Sequence, residues 1–461
     1  MENKGARRVE NDLGRDDIRA LVRRIALPSM LAQFVSVFYS IVDRMYIGNI
    51  PEVGSVALAG VGVCGPVVTM VGSAAFLVGV GGSPLMSMKM GEGNLAQAKK
   101  ILANSFLLLI LFSVLMVAAI FPIREPMLRM FGASDTTYPY SNTYFSIYLA
   151  GTFFALMSTG MNQFIICQGF AKTGMFSVLI GAVLNIILDP VFIFLFDMGV
   201  AGAAIATVLS QVASCVFVLA FLFGKQVPVK ITFGGYDLKI MRKILSIGFT
   251  PFIIIAIDNV MIIAMNAVLQ NYGGPAEGDL LVTCATIVQS FMLIITMPLG
   301  GITGGTQTIL AFNYGANQPN RVKEAQKYIF ILAAGYTALL FVLARTAAGP
   351  LFVRLFTSDA SLAEEAMWAI RVCTLSVIPL GIQYEIVDGF TGIGQVRLSL
   401  PLSFFRKLVY FSALFILPAM FGAKAAFYAE PLSDVFGPLA SIIVYLLAMK
   451  RILKKPAIPV V

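Results

Sequence analysis

Histidine is missing altogether from the 461 residues of this chain. Its absence removes the side chain that ordinarily titrates near neutrality, most zinc sites, and every Ser-His or Cys-His nucleophile arrangement. An intramembrane protease or acyltransferase is disfavoured, and any proton handled by the chain must ride on a carboxylate. Charge is also scarce, at 12% of residues against roughly a quarter in an ordinary soluble domain. The five cysteines (Cys64, Cys167, Cys215, Cys284 and Cys373) stand singly in apolar segments with no CxxC pair, so they form no disulfide framework and are expected to pack. Nucleotide motifs are lacking too. GSPLMSMKMGEGN and GGITGGTQT are glycine-rich, but neither has the GxxxxGK[ST] pattern of a phosphate loop. The opening residues, MENKGARRVENDLGRDDIRALVRR, hold no short apolar run before a small-residue cleavage site. They read as a cytoplasmic amphipathic lead-in.

What the chain has in abundance is apolar surface: 58% of residues are hydrophobic. A single soluble core stops growing beyond ~250–300 residues, and an apolar run of about 20 residues crosses a bilayer as a helix. Such runs fall near 25–48, 56–86, 96–121, 138–168, 174–196, 200–223, 244–270, 281–311, 327–350, 366–389, 396–420 and 425–449. The fold class is therefore an all-α polytopic membrane protein of about twelve spans. The net charge of +9 comes from basic clusters in alternate loops: Arg23 and Arg24; Lys99 and Lys100; Lys225 to Lys243; Arg321 to Lys327; Lys450 to Lys455. The intervening loops are neutral, acidic or mixed. The positive-inside rule accounts for this without a nucleic-acid partner and places both termini in the cytoplasm.

The chain repeats itself. GEGNLAQAKK at 91–100 parallels GANQPNRVKEAQK at 315–327, and FGASD at 131–135 parallels FTSD at 356–359. QGF at 168–170 echoes DGF at 388–390, and GVAGAAIA at 199–206 echoes GAKAAFYA at 422–429. The expected organisation is a cytoplasmic segment (1–24), a first six-span lobe (25–223), a cytoplasmic linker (224–243), a second six-span lobe (244–450) and a cytoplasmic tail (451–461). Six spans per repeat start both lobes on the same side, so the symmetry axis runs along the membrane normal. Two lobes around a cleft suit alternating access, and a transporter is favoured over a channel.

Asp43 and Asp189 stand within spans 1 and 5 of the first lobe. An Asp at the centre of a membrane helix costs roughly 2.5–3.5 kcal/mol on insertion scales, which is tolerated against protein or a wet cavity. Asp43 lies about 28 Å from Arg24 and Asp189 about 22 Å from the start of its span, at ~1.5 Å per residue. Thr207 lies about 12 Å from the opposite end of span 6. All three reach the same half of the bilayer. Asn185 and Asp189 share one helix face, and Pro190 leaves the carbonyl of residue 186 without its usual donor. Asp43, Asn185, Asp189 and Thr207 together offer hard oxygen ligands that suit Na⁺, or a carboxylate pair that shares one proton. Asp43 also lies five residues before Gly48, where a solvated helix end is an alternative, and Asn185 could simply bond across helices.

The second lobe lacks this pair: displacing Asp43 by one repeat lands on Asn266, and the segment near 405–412 has no acid. Its own acid candidates are Asp258 in span 7 and Glu430 and Asp434 in span 12. Glu385 and Asp388 read as interfacial residues near the cytoplasmic end of span 10. Asn266, Gln289 and Gln307 are candidate polar lining, in a cavity that 22 methionines and 36 phenylalanines would make greasy and adaptable.

NIILDPVFIF followed by GVAGAAIATVLSQ, with DRMYIGN closing span 1, resembles the MATE (multidrug and toxic compound extrusion) transporters. GGTQTILAFNYGANQPNRVKEA and IAMNAVLQNYGG are similar to the DinF-like and MepA-like bacterial branch. The resemblance covers essentially the whole chain. It implies a twelve-helix, two-lobed inner-membrane antiporter that expels amphipathic, often cationic compounds while Na⁺ or H⁺ runs inward. It also implies that Asp43, Asn185, Asp189 and Thr207 form the first lobe's cation site, with Tyr144 and Asn162 near polar cavity positions of span 4. No enzyme activity, no cofactor beyond the coupling ion, and a monomer in the lipid bilayer are expected. A flippase for lipids or lipid-linked precursors is the alternative.

Overall fold

Backbone in lipid must satisfy its own hydrogen bonds, and a helix is how a single segment does so. The computed structural model describes residues 10–346, 348–357 and 359–454, with all their side chains except those of 275 and 276. Residues 1–9 of the N-terminal segment, Ser358 of the second FTSD repeat and 455–461 of the tail lie outside the described residues. Ten helices are each long and apolar enough to cross a membrane: spans 1 (Ile18–Gly48), 2 (Gly54–Gly91), 3 (Leu95–Met130), 5 (Ala171–Leu195), 6 (Gly199–Phe223), 7 (Leu238–Gly274), 8 (Glu277–Gly315), 9 (Pro319–Arg345), 11 (Val396–Phe421) and 12 (Ala423–Ile452). Spans 4 and 10 are helix pairs, Tyr138–Ala150 with Thr152–Ile166 and Ala360–Cys373 with Val377–Gly392, bent by 56° and 49°. Together they make the expected twelve.

Several helices outrun their apolar runs. Span 7 begins at Leu238 because Asp237 caps it, its carboxylate accepting from the Lys239 N–H at 2.8 Å. The basic cluster Lys239, Arg242 and Lys243 therefore rides on the helix. The rest of the linker folds back on the first lobe, where Val229 N–H donates to Gln168 Oε1 at 2.8 Å and Asp237 N–H to Asn104 Oδ1 at 2.9 Å. Span 9 stops at Arg345, and a short helix, Ala348–Arg354, follows it.

Packing divides the molecule by depth. At the end remote from the basic loops, each lobe has a separate core: Ile47, Cys64, Phe145 and Ala203 in the first, Leu269, Ile295, Ile370 and Phe427 in the second. At the basic-loop end one cluster joins both lobes, taking in Ile25, Val78 and Phe164 of the first and Ile244, Ile309 and Phe390 of the second. The lobes meet there on bare backbone. A Cβ on Gly91 would lie 2.0 Å from the Phe312 carbonyl oxygen, and one on Gly315 would lie 2.1 Å from that of Met88. Gly91 and Gly315 are the first residues of the paired repeat motifs, so each lobe presents the same glycine to the same carbonyl of its counterpart. Ser87 Oγ donates to the Thr308 carbonyl across this seam at 2.9 Å.

The lead-in before span 1 is a strap across both lobes. Asn11 Nδ2 donates to the Gly169 carbonyl of the first lobe at 2.8 Å. The Leu13 carbonyl accepts from Asn313 Nδ2 at 3.0 Å and from the Arg321 guanidinium at 3.2 Å, both in the second lobe. Burial lifts the Glu10 carboxyl above its ordinary value, opposed by the backbone N–H and the charge of Lys172.

Candidate functional site

Span 5 carries Asn185 and Asp189 on one face, and both are buried, Asp189 completely. Pro190 removes one backbone donor, and the chain answers by widening into a π turn over Val191–Leu195. Asn185 Nδ2 donates to Asp189 Oδ1 at 3.1 Å and to Thr207 Oγ1 of span 6 at 3.4 Å. Asp43 of span 1 is also buried, and its carboxyl lies beside that of Asp189. The structure thus brings Asp43, Asn185, Asp189 and Thr207 close together.

Tyr144 of span 4 joins them: its hydroxyl lies near the Thr207 side chain, and Asp43 is close by. A deeper storey was not anticipated from the sequence. Tyr39 faces both carboxyls and Tyr148, and Tyr148 lies beside Gln211, whose Oε1 has no hydrogen-bond partner. The rings of Tyr144 and Tyr148 stack at 6.5 Å. Each storey draws one residue from each of four spans: Asp43, Tyr144, Asp189 and Thr207 above, Tyr39, Tyr148, Asn185 and Gln211 below. Within every span the two members are four residues apart, the repeat that stacks side chains on one helix face. Extending each recognised polar residue by four positions would have revealed the lower storey.

The upper storey is short of positive charge. Asp43 Oδ1, Asp189 Oδ2 and Asn185 Oδ1 are buried acceptors without a hydrogen-bond partner. Arg44, next in sequence, is exposed, and no ion pair reaches either acid among the described residues. Two buried carboxylates, each with an orphaned oxygen, and the orphaned Asn185 amide oxygen fit a monovalent cation or a shared proton; either relieves the cost of an uncompensated buried charge.

The second lobe is built differently. Lys407 pairs with Asp258, and Arg406 NH1 lies 2.7 Å from Asp434 and 4.0 Å from Glu430. All three acid candidates of this lobe thus face fixed cations from span 11. Other expected positions lie apart. Asn162 borders Gly174, about 16 Å below Asn185 along span 5 at ~1.5 Å per residue. Asn266 and Gln289 are half-buried in spans 7 and 8 of the other lobe. Gln307, expected as polar lining, is buried beside Asp388. The interfacial reading of Glu385 and Asp388 is corrected: Glu385 has no exposed surface, and Asp388 accepts from Thr303 Oγ1 at 2.5 Å. The bend in span 10 and its packing against spans 8, 9 and 12 carry this stretch into the lobe. An apolar groove of about 400 Å³ on the outer face of spans 11 and 12, lined by Leu408, Ile416 and Phe436, contains none of these polar residues.

Comparison with known proteins agrees with this architecture. The chain is 26% identical to the multidrug export protein MepA of Staphylococcus aureus (strain MSSA476) over 425 residues, which cover 92% of both chains. Its fold matches the outward-facing conformation of a multidrug resistance MATE family transporter of the MOP superfamily, with a TM-score of 0.89 at 22% identity over 97% of this chain and 99% of that one. A MOP superfamily transporter from Pyrococcus furiosus, described as having a binding pocket of reverse polarity, also gives 0.89, at 24% identity over 96% and 98% of the two chains. The MatE family profile matches twice, over residues 28–191 and 253–416, stretches of equal length that take in Asp43, Asn185, Asp189 and the span-11 bases but stop short of Thr207. Two copies of that profile across most of a twelve-span chain make this protein a member of the MATE family of multi-pass membrane transporters.

Proposed function

We propose that this transporter is a secondary antiporter that exports amphipathic, mainly cationic drugs or metabolites in exchange for Na⁺ or H⁺. The observation that carries the reading is the buried Asp43–Asp189 pair, with its orphaned oxygens and no fixed counter-charge. When a cation enters, Asp43, Asp189, the Asn185 carbonyl oxygen and the Thr207 hydroxyl would hold it. With the site filled, the four spans draw together; with it empty, the two carboxylates repel. A ligand shifts a conformational equilibrium only through such a difference between states. The closed seam at the basic-loop end and the separate cores at the other support an outward-open state, if the basic loops and both termini face the cytoplasm. Export of drugs is inferred by analogy with the MepA relative, a multidrug export protein.

The flippase alternative calls for a strongly basic cavity. The buried bases of span 11 are instead neutralised by Asp258 and Asp434. The deciding experiment is efflux of a fluorescent cationic dye from proteoliposomes, with Na⁺ and pH gradients imposed separately. Either gradient should drive efflux in the native protein, and Asp43→Asn and Asp189→Asn should each abolish it while inserting normally. Gradient-driven efflux at the native rate in both variants would refute the proposal.

A further inference from the structure

A carboxyl group in the second lobe is left unused by the site above. Glu385, midway along Val377–Gly392, is completely buried, and neither of its oxygens has a hydrogen-bond donor. The titratable groups that face it are Asp388, on the same helix, and Tyr445 of span 12. Tyr445 donates to Gln326 Oε1 of span 9 at 3.0 Å. A Cβ placed on Gly389 would lie 3.2 Å from Gln326 Nε2 and 3.7 Å from Glu385 Oε1, so these groups border one small gap. Asp388 is itself occupied by Thr303 and Gln307. Among the described residues no lysine or arginine pairs with either acid.

An ionised Glu385 would be a bare charge in a low-dielectric interior, with a second carboxylate one turn away and several kcal/mol of uncompensated desolvation. A neutral carboxylic acid removes that cost and supplies an O–H to the gap. Its neighbours Ile386, Val387 and Phe390 belong to the core shared by both lobes. Gly394, just past the helix, approaches Met88 of the first lobe. Opening the seam would therefore bring water to Glu385. We infer that Glu385 is a second proton-carrying site, which keeps its proton while the basic-loop end is closed and exchanges it with water when that end opens. The step breaks one O–H bond and forms hydronium, with no other reactant. It is independent of the Asp43–Asp189 pair and adds a proton to the cycle whichever ion that pair binds.

Infrared spectroscopy of the full-length protein in lipid nanodiscs tests this directly, through the carbonyl band of a protonated carboxyl group. In the native protein such a band should persist at a pH where exposed carboxylates are ionised. It should be retained in an Asp43→Asn, Asp189→Asn double variant and lost when Glu385→Gln is added to that double variant. Tyr445→Phe, which keeps the acid but changes its neighbour, should shift the band. A double variant without the band, or a band that survives when Glu385→Gln is added to the double variant, would overturn the assignment. The double variant keeps this outcome separate from that of the antiport proposal, because it silences the first lobe and leaves Glu385 in place.

Discussion

At the scale of single residues, the two lobes handle buried carboxylates in opposite ways, and their stabilities should respond in opposite ways. Asp434 is compensated by Arg406. Asp434→Asn strands a buried guanidinium, and removing one partner of such a pair typically costs about 3–5 kcal/mol. Its thermal unfolding temperature and membrane yield should fall clearly below native. Asp43→Asn removes a like-charge contact instead, so the same measurements should stay at or above native values even as transport is lost. In the lower storey, Tyr148→Phe removes the hydroxyl that lies beside Gln211, leaving a site already short of hydrogen-bond partners with one fewer. Affinity for the coupling ion should drop several-fold, read by titrating ion-dependent efflux, without the complete loss expected at Asp189. Sequence reading found Asp43, Asn185, Asp189 and Thr207 because acids and amides stand out in apolar runs. It missed Tyr39, Tyr148 and Gln211 because tyrosines and glutamines also occur at membrane interfaces, and only their four-residue offsets from the acids mark them. Glu385 was misplaced because distance along the chain from a loop says nothing about a bent helix that folds its end inward.

At the scale of elements, the strap from Asn11 to Asp16 ties the lobes together at the basic-loop end. Arg321→Ala removes its guanidinium contacts to the Leu13 and Asp16 carbonyls. If these contribute 1–2 kcal/mol, the population open at this end should rise by a factor of roughly 5–30, measurable as spin-label distances across the seam. The strap also carries a pH dependence. Because burial raises the Glu10 carboxyl when docked, the docked form binds its proton more tightly than the free form. Protonation then favours docking, so the contact should strengthen as pH falls through the docked value toward the ordinary one, and weaken as pH rises again. Glu10→Gln should flatten this response in the same distance measurement. The sequence showed an amphipathic, charged lead-in and gave no sign of its partners, since those bonds go to backbone carbonyls that any residue could supply. The breaks in spans 4 and 10 were equally hidden: each lies inside a continuous apolar run, and packing, not composition, bends it.

At the scale of the molecule, the twelve spans and their duplication were legible because hydrophobic length and repeated loop motifs are one-dimensional signals. The division into separate far-end cores and one shared core was not, because it depends on which faces meet. The shared end turns on Gly91 and Gly315, each against a backbone carbonyl of the other lobe at a separation that no side chain tolerates. Gly91→Leu and Gly315→Leu should therefore produce the same shift toward a parted seam, seen as matching changes in spin-label distance. Unequal shifts would mean that the two contacts carry different loads.

Gly91 and Gly315 form one contact made twice about a single axis, and a joint of that kind has no stable half-turned position. Rotating either lobe enough to free one glycine lifts the other by the same amount, so both grips release in a single event. Opening at this end is thereby built to toggle rather than to drift.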